Sequence, residues 1–413
     1  MLLKNCCIEN GDKNFDILIL EGKIAEISDH IECENCESVL DLNGKLVLPP
    51  FVESHIHLDT AYSLKNEKSS VYGTLFDGIS NWASIKNNMS EEAIYNNAYN
   101  AVVQEMKMGV QSIRTHVDIT AENLQTLSAI SKLKQDFKDI VDIQIIAFPQ
   151  DGLMSCDGAI DRLHRAIEIG VDGLGAIPHF EYTHEYAVES LNYIMKIAAE
   201  NGLLVDVHCD ETDDSSSRGL ETLVARAIEY SLFDRVTASH TTAMHSYDNA
   251  YVARKMQHIQ KSRINFVANP LVNVCLQGKN DSYPKRRGMT RVKELTEAGL
   301  NVSFGHDDIM DPWYSMGNGN MMDVAYMGLH LAHMVDKTEV SNSYKFITYN
   351  GAKTLNISDS YGIKVGNPAN LIVLNAIDFY DAMVNKASVL YSIRNGKMIV
   401  SSIPTTYELH FQI

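Results

Sequence analysis

Eight apolar, β-branched stretches of strand length punctuate the middle of the chain, near residues 49–57, 111–118, 141–148, 171–177, 203–209, 236–240, 264–269 and 301–306. Helix-like segments alternate with them, and that alternation limits the fold more than any other feature. EEAIYNNAYNAVVQEMKMG follows Ser90, a suitable N-cap, and puts Glu91 and Glu92 in the first turn, where the helix dipole favours negative charge. AIDRLHRAIEIG (159–170), YAVESLNYIMKIAAENG (186–202) and TRVKELTEAG (290–299) each end near a glycine that fits a C-cap. Eight βα units across residues 49–361 are the count and approximate size of an α/β (β/α)8 barrel, the TIM barrel. A doubly wound open sheet competes, but no glycine-rich phosphate loop follows the first strand.

The two ends of the chain read differently. Residues 1–48 hold short strands with polar turns, FDILILEGKIAEIS and SVLDLNGKLVLP, and residues 362–413 hold NLIVLN, SVLYSIRNGKMIVSS and TYELHFQI. Together they predict one small β-sandwich domain assembled from both termini, beside a barrel of residues 49–361. A formal charge of −18 repels phosphates on average and argues against nucleic-acid binding. No segment approaches ~20 apolar residues, so no membrane span is predicted. MLLKNCCIENGDKNF shows no secretory pattern, and seven scattered cysteines suit reduced thiols in a cytoplasm. The C-x-x-C of Cys33 and Cys36 has no second pair and reads as incidental.

A barrel gathers its chemistry where strands end and βα loops begin. The predicted strands end, in order, at His55-Ile-His57, RTHVD (114–118), AFPQDG with Gln150, AIPHF with His179, VDVHCDE with His208 and Glu211, TASH with His240, VANP with Asn269, and SFGHDD with His306, Asp307 and Asp308. Strand side chains alternate faces, so His55 and His57 point to one side. Adjacent imidazoles gain little from each other unless a cation lies between them. His208 and Asp307 complete a shell of three imidazoles and one carboxylate that suits one divalent ion, Fe2+ or Zn2+, able to lower the pKa of coordinated water to about 7. Glu211, three residues past His208, is placed to move that water's proton, and His240 to hold the developing oxygen. His306 points to the opposite strand face and is left out of the shell.

With these residues, the chain resembles the amidohydrolase superfamily, and within it the cytosine deaminases, nearly end to end. The resemblance rests on SHIHLDT (54–60), FPQDG (148–152), VHCDETDD (207–214), SHTTAMHSY (239–247), YPKRRGMTRVKEL (283–295) and FGHDDIMDPWY (304–314). It implies metal ligation by His55, His57, His208 and Asp307, with Glu211 as proton shuttle and His240 orienting the attacking water. It also places Gln150 against a pyrimidine amide edge, Asp308 near the substrate and Trp313 on the pocket wall. Phe148 joins these among the residues expected to set which base is accepted. The reaction implied is hydrolysis of cytosine to uracil and ammonia. Isocytosine, isoguanine or creatinine deamination and aminotriazine hydrolysis are the nearest alternatives. The resemblance further implies a homo-oligomer, a small pyrimidine base as the partner molecule, and no carbamylated lysine.

Other features carry less. MMDVAYMGLHLAHM (321–334), with His330 and His333, is expected to be core packing, and Lys285–Arg287 a solvated face or subunit contact. Residues 60–89, with Tyr62, Phe76 and Trp82, and residues 309–320, with Trp313, are long enough to cover the cup.

Overall fold

Barrel strands covered on both faces should read as runs of buried residues, and they do. The structure is a computed structural model in which residues 1–11, 13–34, 36–66, 73–404 and 408–410 are described. Along the chain come β1 (Leu2–Ile8), β2 (Asn14–Leu20), β3 (Lys23–Ser28), β4 (Val39–Asp41) and β5 (Leu46–Leu48). Then follow β6 (Phe51–Ile56), β7 (Val110–Asp118), β8 (Asp142–Phe148), β9 (Gly173–Leu174), β10 (Leu204–His208), β11 (Val236–Ser239), β12 (Asn265–Ala268) and β13 (Val302–Phe304). The last are β14 (Leu371–Leu374), β15 (Val389–Arg394) and β16 (Lys397–Ser401). Strands β6 to β13 pair in sequence order, all parallel, as the (β/α)8 alternation predicts.

The sheet closes on itself through the site-bearing segments. Asp307 N–H donates to the His55 carbonyl at 2.8 Å, and His57 N–H donates to the Asp307 carbonyl at 2.9 Å. Barrel closure therefore sets two of the expected metal ligands beside a third.

Polar residues inside β7 show how the barrel is filled. All nine of its residues are buried. Arg114 bridges Asp206 (2.9 Å), Thr237 (3.1 Å), Gln144 (3.1 Å) and the Thr354 carbonyl (2.7 Å). Gln111, an odd number of residues away, instead donates to Ser392 Oγ and the Ile393 carbonyl of the terminal sheet, both at 2.9 Å. One strand thus serves two cores because alternate side chains leave on opposite faces.

The expected terminal domain is one continuous sheet in the order β16-β15-β14-β5-β1-β2-β3, with β4 paired to β1. Its own core includes Leu3, Ile17, Ile24, Val47, Val373 and Ile393. The expected strand TYELHFQI falls largely outside the described residues. Helix ends follow the capping expectations: Ser90 Oγ accepts Ala93 N–H at 3.1 Å, and Gly170 and Gly202 take left-handed caps at φ 105° and 68°.

Three expectations change. Cys33 and Cys36 are joined as a disulfide in the loop between β3 and β4, where a set of reduced thiols had been expected. The 321–334 stretch packs through Met321, Met322, Val324 and Leu329, but His330 and His333 are exposed rather than core. At the surface His330 Nδ1 meets the Tyr326 carbonyl at 2.7 Å. Trp82 does not cover the cup. It is fully buried on the helix Leu75–Ile85 and donates Nε1–H to Asp118 at 2.9 Å.

Candidate active site

The inward positions at the carboxyl ends of the strands converge. His57 Nε2 lies 3.0 Å from His208 Nε2, and Asp307 Oδ1 lies 3.4 Å from His55 Nε2 and 3.6 Å from His57 Nε2. His55 forms one cluster with His57 and Asp307 and another with His208 and His240, and in each the ligand atoms could share an ion. Burial, with the neighbouring imidazoles second, holds His55, His57 and His208 well below the usual histidine range, so they are neutral and free to offer a lone pair to a cation. Burial likewise raises the Asp307 carboxyl well above its ordinary value when no cation compensates it.

The buried ring nitrogens that converge test the fit to a metal. His55 Nε2, 3.4 Å from Asp307 Oδ1, has no hydrogen-bond partner, and His57 Nε2 and His208 Nε2 face each other at 3.0 Å. Three imidazoles with a carboxylate satisfy a divalent ion's preference for nitrogen and oxygen donors, and that ion satisfies them.

The orientation of His55 is built from below. Ser239 Oγ donates to Asp206 Oδ1 at 2.6 Å, leaving its lone pairs to accept Nδ1–H of His55 at 2.9 Å. Arg114 holds Asp206 from the other side. The chain Arg114–Asp206–Ser239–His55 fixes the proton on Nδ1 and aims the Nε2 lone pair into the cup. His116 stacks on His55, ring centroids 3.9 Å apart. Sequence reading missed these members, although R-T-H-V-D and D-V-H alternate polar residues at the strand period.

Above these side chains, a small cavity is lined by Gln150, Glu211, His240, Asp307, Asp308 and Trp313, together with His57 and His208. Leu75, Ile177 and Leu276 supply apolar wall. Phe148 does not line it. Its ring stacks on His208 with centroids 4.1 Å apart, so it backs the ligand imidazole instead of facing the space. His306 turns away, its Nδ1 against the Asp308 carbonyl at 3.1 Å.

Glu211 and His240 meet directly, Oε1 to Nδ1 at 3.2 Å, and His240 Nδ1 lies 3.8 Å from Asp307. Burial alone would lower the His240 pKa, but the Glu211 and Asp307 carboxylates outweigh it and lift it to about 9. His240 has a left-handed backbone, φ 65°, which is unusual for a residue with a side chain and sets the ring toward the cup. His179 Nδ1 accepts Glu211 N–H at 3.2 Å. The Glu181 carboxylate accepts the N–H groups of Leu153 (2.8 Å) and Ser155 (2.9 Å), bracing the loop that carries Gln150.

The rim is tied across strands. Asp311 accepts Thr60 Oγ1–H (2.8 Å), Trp313 N–H (3.0 Å) and Tyr314 N–H (3.1 Å). Trp313 Nε1–H donates to the Leu75 carbonyl at 3.2 Å, joining the 309–320 segment to the helix that follows residues 67–72, which lie outside the described residues. Lys86, itself buried, binds Asp118 (3.0 Å), Thr120 (2.7 Å) and Asp151 beside Gln150. Lys285, Arg286 and Arg287 make intrachain contacts, Arg286 pairing with Asp281 at 2.7 Å.

The pattern of the amidohydrolase family matches residues 38–400. The chain belongs to the amidohydrolase family. This amidohydrolase is 40% identical to 5-methylcytosine deaminase from Klebsiella pneumoniae, whose structure liganded with 5-fluorocytosine superposes with a TM-score of 0.96 over 99% of each chain. The same protein liganded with phosphonocytosine gives a TM-score of 0.94 over 100% of each. N-isopropylammelide isopropyl amidohydrolase from Pseudomonas sp. (strain ADP) is 27% identical over 406 residues, 97% of each chain. Pterin deaminase from Rhizobium rhizogenes is 27% identical over 407 residues, 95% of this chain and 90% of its own. Family and donor set together make this amidohydrolase a metal-dependent hydrolase or deaminase.

Proposed function

We propose that this amidohydrolase removes the exocyclic amine of cytosine, consuming one water and giving uracil and ammonia. The observation that carries the reading is the contact of Glu211 with His240 and of His240 with Asp307, in a cavity that also holds Gln150 and Asp308. Similarity to a 5-methylcytosine deaminase liganded with cytosine analogues supports the choice of ring.

A divalent ion held by His55, His57, His208 and Asp307 supplies Lewis acidity that makes water a nucleophile near neutral pH. Glu211 takes a proton from the attacking water and delivers it to ring N3. That protonation makes C4 electrophilic without creating a buried anion. As hydroxide adds to C4, Asp307 accepts the new hydroxyl's proton and His240, in contact with both carboxylates, passes its Nδ1 proton to Glu211 and takes one from Asp307, so that Glu211 can protonate the amine. Ammonia departs and the C4 carbonyl forms. Gln150 offers one donor and one acceptor to the ring's amide edge, so a base with a mismatched edge leaves buried polar groups unpaired. The 40% identity to a 5-methylcytosine deaminase supports including 5-methylcytosine in the same substrate class.

A second reading, amine hydrolysis on an aminotriazine ring, draws support from the triazine-acting relative. Ammonia and amine release from purified, metal-loaded protein separates them. The panel is cytosine, 5-methylcytosine, isocytosine, isoguanine, creatinine and an N-alkylaminotriazine. Cytosines should give the highest kcat/KM, and a higher value for another compound would replace this assignment.

A further inference from the structure

Asn273 is fully buried on the helix Pro270–Leu276, directly after β12, and lies outside the motifs that carry the family resemblance. Its side-chain amide has a settled orientation. Oδ1 lies 3.2 Å from the backbone nitrogen of Asn269, which can only donate, so Oδ1 is the acceptor and the NH2 group faces the other way. There Nδ2 lies 3.3 Å from Glu211 Oε1 and 3.0 Å from His240 Nδ1. With Glu211 Oε1 and His240 Nδ1 3.2 Å apart, the three atoms form a closed triangle. A neighbouring amide, Asn269 Nδ2, lies 3.3 Å from both ring nitrogens of His240.

Glu211 and His240 sit on the loops after β10 and β11, so their contact bridges two loops, and Asn273 reaches them from a third. A carboxylate that must bind and release a proton needs its free oxygen aimed at the substrate in both states. A donor locked onto Oε1 supplies that aim, because rotation of the carboxylate would break the contact.

We propose that Asn273 is a positioning residue for the Glu211–His240 pair: its locked amide donates to Glu211 Oε1, the oxygen that also accepts Nδ1–H of His240, and so aims the free carboxylate oxygen toward the reacting ring. It does not touch the expected metal ligands. The inference rests on the proposed deamination only in assigning Glu211 the proton transfer.

Asn273→Asp separates positioning from structure. The new carboxylate keeps the acceptor for Asn269 N–H and the side-chain volume, and replaces the donor facing Glu211 with an acceptor. Expected are a loss in kcat of about 10- to 100-fold and a KM within about threefold of wild type. Metal content per chain should not change. The Kd for phosphonocytosine, whose phosphorus is tetrahedral like the carbon attacked by water, should weaken alongside kcat. Asn273→Ala removes both contacts, and its kcat should fall as far, which keeps the test decisive if the aspartate variant does not fold. A wild-type kcat in Asn273→Asp, a loss confined to KM, or loss of bound metal overturns the proposal. If the wild-type protein deaminates another ring instead, the same comparison on that ring tests Asn273 independently of the substrate assignment.

Discussion

Gly78 lies in a helix interior, where alanine ordinarily adds about 1 kcal/mol of stability. Here the sign should reverse. A Cβ at this position would stand 2.4 Å from Trp313 Cδ1 and Nε1 and 2.9 Å from Cε2. Ordinary carbon contacts begin near ~3.5 Å, so the indole must retreat by roughly 1 Å. Overpacking of this kind costs about 1–3 kcal/mol, and losing the Trp313–Leu75 hydrogen bond adds roughly 1 kcal/mol. Gly78→Ala should therefore destabilise by about 1–3 kcal/mol net, in chemical denaturation of the metal-loaded protein. Because Trp313 walls the cavity, KM for the preferred base should also rise about tenfold, with a smaller change in kcat. Adding Trp313→Phe shortens the ring edge that clashes, so in the double variant the penalty of Gly78→Ala should shrink. A Gly78→Ala protein that is more stable than wild type, with KM unchanged, would refute the packing argument.

Glu211→Gln keeps the shape and the metal but removes the proton carrier, and kcat should fall about 10²- to 10⁴-fold in steady-state ammonia release. His208→Ala should lose bound metal together with activity, read by elemental analysis and turnover on the same sample. Chelation of wild type should abolish turnover, and added Zn2+ or Fe2+ should restore it. Lys86→Met leaves Asp118 buried without its cation and should cost about 3–5 kcal/mol, whereas Lys86→Met with Asp118→Asn should recover much of the loss. Burial alone would lower the Lys86 pKa, but Asp118 and Asp151 raise it on balance. Its contribution is therefore complete below the free-lysine value of about 10.4 and lost only as pH climbs through the folded value. A Lys86 contribution that changes between pH 6 and 9 in a wild-type-minus-variant comparison would contradict that sign.

The barrel was legible because its strands are buried on both faces and its helices carry caps, so periodicity and glycine placement reported each βα unit. The convergence of His55, His57, His208 and Asp307 was legible for a topological reason: parallel strands deliver every carboxyl end to the same pole. Asp206 and Ser239 were harder, since an acid and a serine inside short strands resemble many others until Arg114 is seen across the barrel. Asn273 lies five residues beyond its strand, where only the turn of one short helix brings it back. Phe148 was placed in the site by its neighbour Gln150, yet its ring lies against His208. His330 and His333 lie within a methionine-rich stretch but on its wet side, which composition cannot register. Cys33 and Cys36 depended on a loop that folds back on itself, and spacing alone does not record that.

The terminal sheet has a temporal consequence. β5 is hydrogen-bonded to β1 on one side and β14 on the other, so a strand finished early waits for one translated after the whole barrel. At ribosomal rates of about 5–20 residues per second, the interval between Leu48 and Leu371 is on the order of tens of seconds. Throughout it, the β5 edge is a bare row of amides and carbonyls open to foreign strands. Nascent chains stalled before β14 should thus be the aggregation-prone species, and a chaperone's benefit should be greatest in that window.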